Sequence, residues 1–156
     1  MRAVDSSRAV PARSRAVVVE RVEGAPSIPL PTRATRGSAC FDLAAAETVD
    51  LVRDRVVLVR TGFKFRCPSG TFLEVRPRSG LSSRGVLMVN APGTIDADYS
   101  NEVRVPLMYL FEGTYRIEVG DRIGQIRLVG DSAPRFREGR VPPVPSRQGG
   151  FGSTGR

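Results

Sequence analysis

Two short segments hold the side chains best suited to chemistry: Pro77-Arg78-Ser79-Gly80 and, thirteen residues after Gly80, Gly93-Thr94-Ile95-Asp96-Ala97-Asp98-Tyr99. The first combines a guanidinium, a hydroxyl and a glycine backbone, a donor set matched to phosphate oxygens. The second places two carboxylates and an aromatic ring in one tight loop. Asp96 and Asp98 alternate with Ala97, so in extended chain both point the same way and can bind a cation or activate a water. Tyr99 follows at once, and a ring laid flat against a deoxyribose leaves no space for a 2′-hydroxyl. Asn90 precedes the loop, and its amide both donates and accepts, which suits a pyrimidine edge. A third piece is the tail Gly149-Gly150-Phe151-Gly152-Ser153-Thr154-Gly155. There Phe151 can stack on a base, Ser153, Thr154 and the Gly152 backbone can wrap phosphates, and Arg147 can bring late positive charge as a lid closes. Together these residues predict a nucleoside triphosphate site built from three separated pieces of chain.

Composition narrows the chemistry further. The chain has 156 residues, enough for one domain with a full core, and contains no histidine. Ser-His-Asp and Cys-His nucleophilic catalysis are thereby excluded, as are most zinc sites. General-base work falls to a carboxylate, a tyrosine or a cysteine. The net charge is +8, carried almost wholly by arginine, since Lys64 is the only lysine. The arginines are spread along the whole sequence rather than clustered, so dedicated nucleic-acid binding is not expected, while a basic surface helps gather a polyanionic small molecule. Cys40 and Cys67 lack metal-ligand or redox-motif spacing and read as two reduced, buried thiols of a cytoplasmic protein. The first residues show no apolar stretch of a secretory signal, and no apolar run approaches the roughly 20 residues of a membrane span.

Strands hold most of these groups in place. Residues 1–14 are rich in Arg, Ser, Ala and Pro without periodicity and read as a disordered leader. Short β-type runs follow at 16–19, 55–60, 63–66, 71–75, 102–110, 114–119 and 122–129, with Pro68-Ser69-Gly70 as a turn. In the run 102–110, Val103, Val105, Leu107 and Tyr109 share a face, and Pro106 predicts an edge strand or a bulge. Gly120-Asp121 reads as a hairpin turn, and Asn101 as a position suited to positive φ. One helical turn is predicted near Leu81–Arg84. Asp42, beside the Phe41–Leu43 pair, reads by itself as a turn or cap residue, and Gln125 as a solvent-facing strand residue. Residues 130–147 read as a crossing or trailing arm, and 146–156 as a mobile lid on a domain spanning 15–145. Many short strands with almost no helix predict an all-β sandwich or barrel.

In order along the chain, Ala39-Cys40-Phe41-Asp42-Leu43, Pro77-Arg78-Ser79-Gly80-Leu81, Gly93 to Tyr99, Gly120-Asp121-Arg122-Ile123-Gly124-Gln125-Ile126 and Gly149 to Gly155 resemble the five motifs of the trimeric dUTPases (deoxyuridine 5′-triphosphate nucleotidohydrolases). The likeness runs from about Pro29 to Gly155. It implies a β jelly-roll homotrimer with shared active sites that hydrolyses dUTP to dUMP and pyrophosphate with Mg²⁺, keeping uracil out of DNA and supplying dUMP. Carried over, Asp96 is the base orienting water onto the α-phosphorus, with Gln125 and Arg147 assisting. Arg78, Ser79, Gly80 and Gln125 hold phosphates, and Asp42 holds a water of the magnesium shell. Asn90, Gly93, Thr94, Ile95, Tyr99 and Arg104 bind base and sugar. Phe151, Gly152, Ser153 and Thr154 close over a neighbour's site.

This chain departs from the family pattern at Cys40 and Phe41, where a glycine and a tyrosine are usual, at Ser100-Asn101 in place of Arg-Gly, and at Gly124 in place of alanine. Arg147 stands four residues before Phe151 rather than five, a displacement of about 3.3 Å in extended chain. The dCTP deaminases, some of them bifunctional, share the fold but generally lack the Gly-Gly-Phe-Gly-Ser-Thr-Gly tail. A dUTP-binding regulator and a basic nucleic-acid binder are the readings from other classes.

Overall fold

The computed structural model describes residues 16–142. Eleven strands and one helical turn make up these residues: β1 (Val18–Arg21), β2 (Phe41–Ala44), β3 (Val49–Val52), β4 (Val57–Arg60), β5 (Phe63–Arg66), β6 (Thr71–Arg76), α1 (Ser79–Ser82), β7 (Val86–Met88), β8 (Gly93–Ile95), β9 (Arg104–Tyr109), β10 (Thr114–Ile117) and β11 (Arg122–Gly130). All pairings are antiparallel. They form a four-stranded sheet in the order β2-β11-β6-β8, a three-stranded sheet β4-β9-β7, and the pairs β1-β5 and β10-β3. The sheets close around one core in which Leu43, Leu51, Val59, Phe63, Val103, Val105, Leu107, Ile117 and Ile123 are almost wholly removed from water. This is the all-β architecture that the strand pattern predicts.

Most strands fall within a residue or two of their predicted positions, because alternating apolar residues mark the inward face. β2, β3, β7 and β8 were not predicted. Each is three or four residues long, and β2, β3 and β8 carry Asp42, Asp50 and Gly93, residue types depleted in strands. Asp42 is therefore a residue of an edge strand, not a turn or cap. The Gly120 turn forms as expected, with the Asp121 N–H donating to the Glu118 carbonyl (3.0 Å). It does not close a hairpin, however: β10 pairs with β3, and β11 with β2 and β6. The turn is a corner between sheets, anchored by Ala45, which exchanges backbone hydrogen bonds with Gly120 and Asp121.

Pro106 likewise corrects its prediction. It lies in β9, the central strand of its sheet, opposite Leu58 of β4. Its carbonyl accepts from the Val89 N–H (3.1 Å), one residue past the end of β7. Backbone N and O of one strand residue face the same neighbour, so the missing N–H falls where that short ladder has already ended. Beyond β11, residues 131–142 form no regular element and stay exposed, with Phe136 at 96%.

Candidate active site

The four-stranded sheet turns one face to the core and carries polar groups on the other. Asp42 of β2, Gln125 of β11 and Arg76 of β6 stand directly opposite one another, so their side chains share that outer face. β6 runs straight into Pro77-Arg78 and the α1 turn. There the first backbone bonds are donated by Leu81 and Ser82 to the Arg78 carbonyl, which leaves the Ser79 and Gly80 N–H groups outside the turn's own bonding. These segments and the loop Ala34–Cys40 enclose a cavity of about 300 Å³ lined by Ser38, Cys40, Asp42, Arg78, Ser79, Gly80 and Gln125.

The cavity is wired by charge-assisted bonds. Arg78 donates from Nε to Asp42 Oδ1 (3.0 Å) and from Nη1 to the Arg122 carbonyl (3.2 Å). Arg122 donates to the other oxygen of Asp42 (3.1 Å). Gln125 Nε2 donates to the Pro77 carbonyl (2.8 Å) and is half-buried, so it is not the solvent-facing residue its strand position predicted. One carboxylate shared by two guanidiniums gives the cluster a net positive charge beside a cavity that also offers hydroxyl and backbone donors, the makings of a polyphosphate cleft.

A second cavity, about 580 Å³, lies between β8 and β9 and is lined by Leu58, Asn90, Ile95, Tyr99, Glu102, Arg104 and Pro106 among others. Its chemistry differs. Gly93 is buried, and a Cβ there would stand 3.0 Å from the Asn90 amide nitrogen and 3.1 Å from the Met88 methyl. With glycine at this position the Asn90 amide packs closely on β8, and a larger residue would push it or the Met88 methyl aside by a few tenths of an ångström. The Tyr99 ring is exposed, with its hydroxyl donating to the Glu102 carbonyl (3.2 Å). Arg104 is half-exposed beside Glu102. Thr94 points outward, opposite Glu74.

The structure therefore brings Asp42, Arg78, Ser79, Gly80 and Gln125 into one cavity and Asn90, Ile95, Tyr99 and Arg104 into another. Asp96 lines neither; it is exposed on the turn Asp96–Tyr99, closed by the Tyr99 N–H on the Asp96 carbonyl (3.1 Å). That turn also corrects the extended-chain reading, since Asp96 and Asp98 do not stand on a common strand face. Asn101 does not adopt positive φ; among the described non-glycine residues only Asp54 and Ala133 do. Arg147, Phe151, Gly152, Ser153 and Thr154 lie outside the described residues.

Three features escaped sequence reasoning. Arg122 reaches Asp42 only because of a bulge in β11. Glu102, nearly buried, accepts from Arg60 Nε (3.0 Å) and the Gly62 N–H (2.8 Å) and so ties the β4–β5 turn to the strand entering β9. Cys40, expected to be buried, is half-exposed and lines the phosphate-type cavity, while Cys67 is buried as expected and both thiols are free. A third, largely apolar groove, lined by Val17, Leu30, Phe41 and Leu128 with Arg127, holds no such donor set. Among the described residues no three acidic, cysteine or histidine side chains converge on a metal position, and no helix is long and apolar enough to cross a membrane.

An antiparallel β fold carrying an arginine-lined anion cavity and a glycine-floored, amide-bearing pocket defines a nucleotide-binding β protein. The sequence profile of the dUTPase family matches residues 26–155, and the chain belongs to that family. It is 41% identical over 141 residues to the deoxyuridine 5′-triphosphate nucleotidohydrolase of Brucella melitensis, covering 86% of this chain and 90% of that protein. The enzyme of the same name from Caulobacter vibrioides is 41% identical over 155 residues, covering 94% and 98%. Among solved structures, a variant of the dUTPase of Staphylococcus bacteriophage 80alpha with dUpNHpp superposes with a TM-score of 0.76 at 24% identity, covering 90% of this chain and 98% of that one. A variant of the dUTPase from phage phi11 of S. aureus, described as coordinating a structural Mg(II) ion, gives 0.72 at 21% identity, covering 81% and 97%.

Proposed function

We propose that this protein hydrolyses dUTP to dUMP and pyrophosphate, with Mg²⁺, at sites assembled between the copies of a homotrimer. The observation that carries this reading is the separation of the two cavities within one chain. The anion cavity holds Arg78, Ser79, Gly80 and Gln125 but no aromatic ring. The pocket beside β8 holds Tyr99 and Asn90 but no phosphate-binding turn. A triphosphate bound only in the first would lack a base reader, and a nucleotide bound only in the second would have no donor-lined turn for its phosphates. A second copy that presents its anion cavity to the Tyr99 pocket supplies both. It also gives the exposed Asp96 a substrate to act upon.

In this reading Asn90 hydrogen-bonds the uracil edge over the Gly93 floor. Direct hydrogen bonding of a base edge rejects analogues with the wrong donors by roughly 10⁴-fold. Tyr99 packs on the deoxyribose where a 2′-hydroxyl would stand. Thr94, Ile95 and Arg104 complete that wall. Arg78, Ser79 and the Gly80 backbone hold phosphate oxygens, and Gln125 fixes the turn that carries them through its bond to the Pro77 carbonyl. Asp96 takes the proton of a water as its oxygen forms a bond to the α-phosphorus. The bridging oxygen to the β-phosphorus departs with pyrophosphate. The tail, with Arg147, Phe151, Gly152, Ser153 and Thr154, closes over a neighbour's site; the family match extends through it.

Magnesium fits the donor set in one way. A lone carboxylate in an anion cavity suits an ion that keeps most of its waters and takes its other ligands from substrate phosphates. Asp42 has both oxygens engaged by arginines yet retains lone pairs, and would hold such an ion through a water. When bound, the ion supplies charge neutralisation on the triphosphate.

The test is pyrophosphate release from dUTP, dCTP, dTTP and UTP with Mg²⁺, for the wild type and Asp96→Asn, with the mass in solution measured by light scattering. The expected result is turnover of dUTP alone, a trimer, and a fall of about 10²–10⁴-fold in turnover for the variant with dUTP binding retained. Ammonia released from dCTP would move the protein to the deaminases. Binding of dUTP without turnover would make it a regulator.

A further inference from the structure

The geometry points to Arg122 as the residue that sets the phosphate cleft: through Asp42 it fixes how the Arg78 guanidinium is presented, and so tunes the affinity of the cleft for a magnesium-complexed polyphosphate. This inference rests on the proposed dUTP reading for the identity of the ligand. Arg122 does not itself line the cavity, and its side chain is 55% exposed, so it is a positioning residue rather than a ligand-binding one.

Three observations carry it. The first is the bulge. β11 pairs Gln125 with Asp42 and Gly124 with Leu43, and then the register shifts so that Arg122 stands opposite Ala44. Without the shift Arg122 would oppose Ala45 and turn to the face of Leu43, because a one-residue slip exchanges the two faces of a strand. The extra residue places it on the face of Asp42, two positions along, with only the small Ala44 side chain between.

The second is how the carboxylate is held. Asp42 is largely buried, and its two oxygens are taken separately, Oδ1 by Arg78 Nε (3.0 Å) and Oδ2 by Arg122 Nη1 (3.1 Å). A carboxylate held at both ends has one orientation; one held at a single end can rotate about its Cβ–Cγ bond. The third is the backbone. Arg78 Nη1 also donates to the Arg122 carbonyl (3.2 Å), so Arg122 meets both ends of the Arg78–Asp42 pair. With Nε and one Nη1 hydrogen turned toward Asp42 and Arg122, the remaining Nη hydrogens of the fork are left for anionic oxygens in the cavity.

Removing the Arg122 side chain therefore leaves the fold and Arg78 in place but frees Asp42 to rotate and the fork to follow. Losing an outer partner of this kind weakens affinity by about tenfold or more. The experiment measures the dissociation constant of dUpNHpp by calorimetry across a magnesium titration, together with kcat, KM and Tm, for the wild type, Arg122→Ala, Arg122→Lys, Asp42→Asn and the double variant Asp42→Asn/Arg122→Ala. We expect Arg122→Ala to weaken analogue binding and raise the half-saturating magnesium concentration by about tenfold, to raise KM more than it lowers kcat, and to leave Tm unchanged. Lysine should restore part of the loss. On the Asp42→Asn background the Arg122 substitution should add nothing. Unchanged affinity and magnesium dependence in Arg122→Ala would overturn the inference, as would a full additional loss on the Asp42→Asn background or a fall in Tm that tracks the loss of affinity. A wild type that binds magnesium pyrophosphate but not dUTP or its analogue would overturn the substrate reading instead. The same variants titrated with pyrophosphate would then decide the role of Arg122.

Discussion

The anion cavity and the β8 pocket are built on opposite principles. In the first, the charged and amide side chains are braced: Arg78 by Asp42, Asp42 by Arg122, Gln125 by the Pro77 carbonyl. Charge-assisted bonds in a partly buried setting hold these groups before any ligand arrives. In the second, the groups proposed to meet the substrate are more loosely held. Tyr99 is exposed with one bond to a backbone carbonyl, and Asp96, outside the pocket lining, is exposed on the adjoining turn. What is rigid there is the support: the Gly93 floor and the Glu102 hub that joins Arg60 and Gly62 to the entrance of β9. A preformed charged cleft and an open pocket with a firm floor are what one chain needs to carry if each is to be completed by the other on a neighbouring copy.

If cleft and pocket belong to different copies, variants in the two should complement each other. Arg78→Ala and Asp96→Asn should each lose turnover by orders of magnitude. Refolded together from denaturant, the two variants should regain dUTP hydrolysis well above the sum of their separate rates, because some sites then combine an intact cleft with an intact pocket. A mixture no more active than its components would mean that both regions serve one chain's own site. Next in size is the pocket floor. Gly93→Ala drives a methyl against the Asn90 amide, overpacking that costs about 1–3 kcal/mol. It should weaken dUTP binding by about tenfold, while the affinity of the cleft for pyrophosphate stays as it was. Loss of both, read by calorimetry, would show that the two regions are not separable.

The smallest effect concerns the two thiols, one in the cleft and one in the core. Burial raises the pKa of the Cys67 thiol above its ordinary value of 9.0. Below that pH both folded and unfolded chains hold the proton and Cys67 contributes no slope. Above it the unfolded chain gives up its proton first, so stability falls as pH rises toward the folded-state pKa. Denaturation of the wild type and of Cys67→Ala should therefore show stability curves that converge above about pH 9. Parallel curves would mean that water reaches the thiol.

Much of this was legible without a structure, and for particular reasons. The long runs around Val105 and Ile126 announce strands because one face of each must be apolar to reach the core. The motif residues announce phosphate and base chemistry because few side chains can do it once histidine is absent. The short strands β2 and β8 were not legible, since Asp42 and Gly93, residue types depleted in strands, take up part of segments only three or four residues long. Arg122 was invisible for a related cause: its face is set by a bulge, and a bulge is a property of pairing between β11 and β2, not of either segment alone.

Local pattern, motif order and side-chain chemistry are enough to fix the β class, the family and the residue types available for catalysis. Which of these residues meet depends on the folded chain. It put Asp42 and Gln125 side by side from positions far apart in the chain, turned the Gly120 corner away from a hairpin, seated Pro106 in the middle of a sheet, and kept Arg78 and Tyr99 in separate cavities. Each of those outcomes depends on strand register between distant segments. Register is settled by the burial of whole faces at once, and no single stretch of sequence contains that information.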